Sequence, residues 1–200
     1  MSTLTNPWDE RFAGEEFFYG TAPNDFLAAH VDRLRGPVLS LAEGEGRNAV
    51  FLAERGLQVL GVDNSAVGLA KAEGLAGERG VQIQTVVADL ADYEPQSGHY
   101  GAVISIFAHL PGMVRQRLYP RVEAALRPGG LLLMEAYAEA QLPRSTGGPK
   151  NLEMLVTEDK LRREFPGLEP VLLQQIERDV REGQGHSGMA VVVQFIARKR

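Results

Sequence analysis

Apolar and polar positions along the first two thirds of the chain switch repeatedly between two rhythms. Phe26, Leu27, His30, Val31 and Leu34 fall near a 3.6-residue period, and Asn24 stands where a side-chain oxygen closes a helix start, so the spacing predicts a helix that Gly36 and Pro37 stop. Val38-Leu39-Ser40-Leu41 then reads as a short buried strand. Gly44 and Gly46 supply a tight turn, and residues 48–53 continue as a helix ended by Gly56. The pattern repeats: a strand at 59–62, a helix capped by Ser65, a strand at 81–88 and a strand at 102–107. A helix with Leu118, Val122 and Ala125 on one face follows, then the turn Pro128-Gly129-Gly130 and a fifth strand at 131–136. Such alternation implies an α/β fold, with a parallel sheet covered by helices on both faces.

The last third departs from this rhythm. Residues 141–150 are rich in Gly and Pro and read as a loop, 157–165 as a short helix and 171–180 as a long strand. Residues 183–188 join that strand to another at 189–197, and so short a connection demands antiparallel neighbours, because a parallel crossover needs about a dozen residues. No internal repeat or linker interrupts the 200 residues, which predicts one domain over 1–200, with residues 1–23 as an N-terminal covering segment.

Composition narrows the function by exclusion. No apolar run approaches the roughly 18 residues of a membrane helix, and the region behind Met1, with Trp8, Asp9, Glu10 and Arg11, lacks the basic start and apolar stretch of a secretory signal, so a cytoplasmic location is expected. The absence of cysteine removes disulfides, thiolate nucleophiles and cysteine-bound zinc, and no metal is expected. A net charge of -5, with no basic block beyond Arg198-Lys199-Arg200, argues against nucleic acid and for a small-molecule partner, on a monomer or homodimer.

Candidate chemistry gathers at strand ends. Gly44 and Gly46 can adopt positive φ and let a ligand approach the backbone; alone they are equally an ordinary turn. Asp63 closes the second strand about 20 residues later, where a carboxylate accepts hydrogen bonds from both hydroxyls of an adenosine ribose; its plainer reading is a helix cap. Asp89, ending the third strand, is placed to meet an adenine amino group beside Leu90, or is a solvated loop acid. Ligands collect at the carboxyl ends of an open parallel sheet, so the three would line one crevice.

The series Val38-Leu39-Ser40-Leu41-Ala42-Glu43-Gly44-Glu45-Gly46, Val62-Asp63, Ala88-Asp89-Leu90 and Leu126-Arg127-Pro128-Gly129-Gly130 resembles the ordered motifs of class I methyltransferases. Gly44-Glu45-Gly46-Arg47-Asn48, Ser105-Ile106-Phe107-Ala108-His109-Leu110-Pro111 and Tyr19-Gly20-Thr21-Ala22-Pro23-Asn24 are similar to the TehB-like tellurite-resistance branch, related to thiol and thiopurine methyltransferases. The resemblance implies a Rossmann-like seven-stranded sheet with a reversed last strand, and S-adenosyl-L-methionine as cofactor. It also implies a cofactor site at Tyr19, Ala42, Gly44, Gly46, Arg47, Asp63, Asn64, Asp89, Leu90, Ser105 and Ile106, and a thiol, thiopurine or chalcogen oxyanion such as tellurite or selenite as acceptor. Two departures are visible: Ser40 stands where the family often has Asp, and Ala42 where it has the first glycine.

Methyl transfer from a sulfonium needs mainly proximity and alignment. For a protonated acceptor the candidate bases are His109 and His186, each with a merely structural alternative; for an oxyanion, Arg144, Lys150, Arg178 or Arg181 would supply charge. Trp8, Phe12, Phe17, Phe18 and Tyr19 form an aromatic cluster that either lids the cofactor or packs on the sheet. Two rival functions stand beside this one. Gly44-Glu45-Gly46-Arg47-Asn48-Ala49 also satisfies a dinucleotide fingerprint, which would suit an NAD-dependent oxidoreductase. The helix before the first strand, the antiparallel ending and the lack of residues for a substrate domain weigh against it. The other is a non-catalytic sensor of the nucleoside cofactor.

Overall fold

A computed structural model describes residues 6–200. Its seven strands are β1 (Val38–Leu41), β2 (Val59–Asp63), β3 (Gln84–Val87), β4 (Tyr100–Ile106), β5 (Leu126–Tyr137), β6 (Leu168–Glu182) and β7 (His186–Lys199), in the order β3-β2-β1-β4-β5-β7-β6. Strands β1 to β5 run parallel; β7 inserts antiparallel between β5 and β6. The α-helices are α1 (Pro7–Phe12), α2 (Asp25–His30), α3 (Arg47–Ala53), α4 (Ala66–Glu78), α5 (Gly112–Ala125) and α6 (Glu158–Glu164). As expected, this is a mostly parallel α/β sheet with a reversed final strand.

Strand alternation sends neighbouring residues to opposite faces, and both are covered. Leu39, Val103, Leu132 and Met134 pack with Leu118, Val122, Leu161 and Phe165 of α5 and its neighbours, whereas Val38, Ala102, Ile104 and Leu133 pack with Phe26 and Leu27 of α2 and with Ala49 and Leu52 of α3. The central strands β1 and β4 are therefore apolar on both faces apart from Ser40 and Ser105.

Several expected boundaries move. The strand expected over 81–88 keeps only 84–87, because the Val81 amide donates to the Ala76 carbonyl at the end of α4, and Val81 and Ile83 pack against Val50, Leu75 and Ala76. Pro128-Gly129-Gly130 lies inside β5 at a break in register: Leu126 pairs with Tyr100 and pairing resumes at Leu131 opposite Ala102. The last hairpin is longer and tighter than expected, since Glu182 pairs with His186 and only residues 183–185 turn; Ser187 and Gly188 belong to β7.

The N-terminal segment lies over the carboxyl ends of the strands, and its first five residues fall outside those described. The Asn6 side chain donates to the Asn64 carbonyl at 2.6 Å, and the Asp9 carboxylate accepts from the Ser65 hydroxyl and the Val67 amide at the start of α4. Phe12 is buried over the glycine turn, and farther along the Gln184 amide of the hairpin donates to the Phe18 carbonyl at 2.8 Å. Among the described residues, no helix is long and apolar enough to cross a membrane.

Candidate active-site crevice

The turn between β1 and α3 forms one half of the site. Ala42, Gly44 and Gly46 take φ of 51°, 63° and 94°, all left-handed, so the chain reverses within a few residues and leaves the backbone of Gly44 bare toward the crevice. Gly46 is the N-cap of α3 and offers no side chain to cap it. Glu43 does so instead: one carboxyl oxygen accepts the Ala49 amide at 2.9 Å and the other bonds the Ser40 hydroxyl. Burial pushes the Glu43 carboxyl up to about 7, against the pull of those two bonds. The carboxyl missing at Ser40 is thus supplied from three residues downstream. Asp63 accepts the Gly44 amide through one oxygen and the Ser65 amide through the other, both at 2.8 Å, so it ties the turn to β2 while lining the crevice. Its burial raises its pKa.

The other half is assembled from distant parts of the chain. His186 opens β7 and is buried, with its ring edge-on to Phe107 at 4.6 Å between centroids and 4.8 Å from Tyr19. Its Nδ1 lies 3.3 Å from a Glu182 oxygen that also receives Arg47 Nη2 at 2.6 Å, while the Asn24 amide donates to the second oxygen at 2.8 Å. Although burial opposes it, bonding from His186, Arg47 and Asn24 holds the Glu182 carboxyl at about 2. Behind it, fully buried Glu135 is bonded by Arg178, Asn24 and Gln194. His109 lies half-buried on the crevice wall. Its Nε2 accepts the Tyr137 amide at 3.2 Å, its ring stacks on Tyr137 at 5.3 Å, and burial followed by the nearby His186 lowers its pKa to about 3.

Tyr19, Ala42, Gly44, Arg47, Asp63, Asn64, Asp89, Leu90, Ile106, His109 and His186 line this one crevice. Two expected cofactor residues do not: Gly46 faces α4, where a Cβ would lie 2.6 Å from Ala72, and Ser105 is buried within β4. The four expected cations are elsewhere. Arg144 pairs with Glu177, Arg178 with Glu135 and Arg181 with Asp179, and Lys150 donates to the Leu142 and Arg144 carbonyls. Arg47 is the guanidinium on the wall, and its buried Nη1 has no partner. Of the aromatic cluster, Trp8, Phe12 and Tyr19 face the crevice, while Phe17 packs under Lys71. Sequence reasoning missed Glu43, Glu182 and Phe107 as site residues. Glu43 was readable within the turn, as the carboxyl nearest Ser40; Glu182 carried no local signal. Among the described residues no cluster suits a metal ion.

Residues 38–130 match the family model for a methyltransferase domain. Over this segment the chain is similar to a methyltransferase domain. The methyltransferase match extends to a curated relative, the 2-heptyl-1-hydroxyquinolin-4(1H)-one methyltransferase of Mycobacteroides abscessus, 30% identical over 120 residues that cover 58% of this chain and 53% of the relative. The chain thus spans about half the length of that relative. Among solved structures, the one described for conversion of a disulfide bond into a thioacetal group during echinomycin biosynthesis superposes with a TM-score of 0.75 at 22% identity, covering 96% of this chain and 88% of the other. TehB from Haemophilus influenzae gives 0.70 at 18% identity, covering 88% and 62%. These two likenesses show the methyltransferase fold.

Proposed function

We propose that the protein is an S-adenosylmethionine-dependent methyltransferase acting on a small molecule. One observation carries this reading: the glycine turn and Asp63 on one side, and Tyr19, Phe107 and His186 on the other, face a single crevice at the carboxyl ends of the parallel strands. The residues present fit the donor. The bare backbone at Gly44 gives a close approach, Asp63 keeps lone pairs for ribose hydroxyls beside Asn64, and Leu90 with Asp89 offers an apolar and polar edge for adenine. The partnerless Arg47 Nη1 suits the donor's carboxylate. When bound, the donor supplies a methyl group on a sulfonium, already activated for in-line displacement. The chain's contribution is alignment, exclusion of water by Trp8, Phe12 and Tyr19, and handling of the acceptor's proton.

His186 is the proton acceptor in this reading, because Glu182 engages Nδ1 and leaves Nε2 for the crevice. His109 serves as wall, its Nε2 lone pair committed to the Tyr137 amide. Of the acceptors considered, a thiol or thiopurine is best supported. A tellurite or selenite oxyanion asks for cations, and Arg144, Lys150, Arg178 and Arg181 are all engaged away from the crevice.

Calorimetry tests the reading. S-adenosylmethionine and S-adenosylhomocysteine are expected to bind and NAD not to, and Asp63→Ala is expected to weaken binding by about 1–3 kcal/mol, the size of a lost buried hydrogen bond. Binding of NAD in their place would overturn it and favour the oxidoreductase.

A further inference from the structure

We infer that Glu45 and Lys71 form a latch that holds residues 7–19 closed over the crevice, so that the methyl donor enters and leaves only when this latch opens. The identity of the enclosed ligand rests on the methyltransferase reading; the latch itself rests on the contacts of the covering segment.

One ion pair joins three parts of the chain. Glu45 stands within the glycine turn, between Gly44 and Gly46, and lines the crevice. Its Oε1 meets Lys71 Nζ of α4 at 2.5 Å, and its Oε2 accepts the Phe18 amide of the covering segment at 2.8 Å. Lys71 also donates to the carbonyls of Gly14 and Glu16 at 2.9 and 2.7 Å, with that of Phe12 farther off at 3.4 Å, and lies over the Phe17 ring at 4.9 Å. Together with the carboxylate, these acceptors occupy every N–H bond of the ammonium. The Glu45 side chain is 3% exposed and that of Lys71 17%, so water and salt screen the pair little. Residues 13–16 are themselves exposed; it is the bonds from Lys71 to their backbone, and not burial of their side chains, that fix this stretch against α4.

A wedge sits beside the latch. Phe12 is buried, and a Cβ at Gly44 would lie 3.3 Å from its ring; one at Gly68, in the first turn of α4, would lie 2.8 Å from the ring and 3.1 Å from the Gly44 carbonyl. Glycine is a poor helix former, so α4 gives up helix propensity at Gly68 to seat this ring. Trp8, Phe12 and Tyr19 line the crevice with Gly44 and Asp63, so a ligand lying along the turn is enclosed by the same segment that Lys71 holds. Glu45 couples the two events, because the turn whose backbone the donor approaches carries the carboxylate that secures the cover.

Stopped-flow binding of S-adenosylhomocysteine and hydrogen exchange, both on the whole protein, test the latch. In wild type the ligand is expected to slow exchange over residues 8–18. Lys71→Met keeps the apolar stem and removes the charge. Exchange over 8–18 should then rise in the free protein, and the ligand should both associate and dissociate faster, the latter by about 10-fold or more, the size of one lost hydrogen bond to a charged group. Gly68→Ala reaches the same state from the wedge with both latch residues intact, and it carries the test should Lys71→Met fold poorly. Alanine favours the helix while its Cβ displaces Phe12, so the urea midpoint should hold while exchange over 8–13 and both rates rise. Association no faster than wild type in either variant would overturn the latch. Failure of wild type to bind S-adenosylhomocysteine would instead bring down the methyltransferase reading, and exchange over 8–18 in free Lys71→Met would still decide whether Lys71 holds the segment.

Discussion

The two halves of the crevice are built by different means. The donor half is local: the Gly44 amide reaches Asp63, 19 residues away, and Glu43 caps a helix that begins four residues later. The acceptor half is stitched across the chain, with Arg47 bonded to Glu182 over 135 residues and Asn24 to Glu182 over 158. Their buried carboxyls differ accordingly. Glu43 is bonded by an amide and a hydroxyl and sits near neutrality, whereas Glu182 is bonded by a guanidinium, an imidazole and an amide and stays ionised. A short loop can bury a carboxyl beside neutral donors alone; a charge is kept only where distant cations converge on it.

The sharpest way to break this contrast is to fill the glycine of each half. Gly46→Ala would place a Cβ 2.6 Å from both the Cα and Cβ of Ala72, at φ 94°. Left-handed backbone costs about 1–2 kcal/mol and overpacking about 1–3, so a loss of about 2–5 kcal/mol is expected in urea denaturation. Gly183→Ala, at φ 57°, would meet the Phe18 carbonyl and the Tyr19 backbone, which belong to the covering segment and not to the sheet. The expected result is faster hydrogen exchange in residues 16–20 with a smaller global loss. Equal global losses would show that the covering segment folds as part of the core.

The two carboxyls should respond to pH in opposite windows. Glu182 is held below its ordinary 4.5, at about 2, so its contribution is present above 4.5 and is lost as pH falls toward 2. Glu43 is raised to about 7, so the folded state favours its protonated form, and stability is lost as pH rises from 4.5 through 7. Each swing is on the order of 3 kcal/mol. Glu182→Gln is expected to flatten the acid limb of a denaturation midpoint plotted against pH, and Glu43→Gln the limb between 4.5 and 7. The reverse pairing would mean that the charge states of the two halves have been exchanged.

The same contrast explains what was legible. Strand, turn and helix from Val38 to Ala53, and the acid at Asp63, are contiguous, so periodicity and spacing located both the turn and its partner. The sheet's reversed ending followed from a connection too short for a crossover. The network at Glu182 was hidden, because strand side chains alternate and a shift of one residue reverses their face. Ending β6 at Val180 leaves Glu182 in a turn, and only the observed pairing of Glu182 with His186 brings it under the crevice. The third strand was overdrawn for a related reason: Val81 and Ile83 are apolar because they pack against α3 and α4, and a short apolar run does not announce which element it serves.

Ala42 provides the finest test of the donor half. It holds φ 51° where the family has glycine, so the turn carries a left-handed methyl-bearing residue. Ala42→Gly removes about 1–2 kcal/mol of backbone cost but frees the unfolded chain by about 0.4–1 kcal/mol and surrenders contacts of a half-buried methyl. The expected net gain is therefore no more than about 1 kcal/mol, read as a small rise in melting temperature, with S-adenosylhomocysteine affinity unchanged because Gly44 and Asp63 still set the turn. A clear loss of stability would show that the Ala42 methyl packs as part of the core beneath the turn, and that the substitution of the family glycine is itself a structural element of this chain.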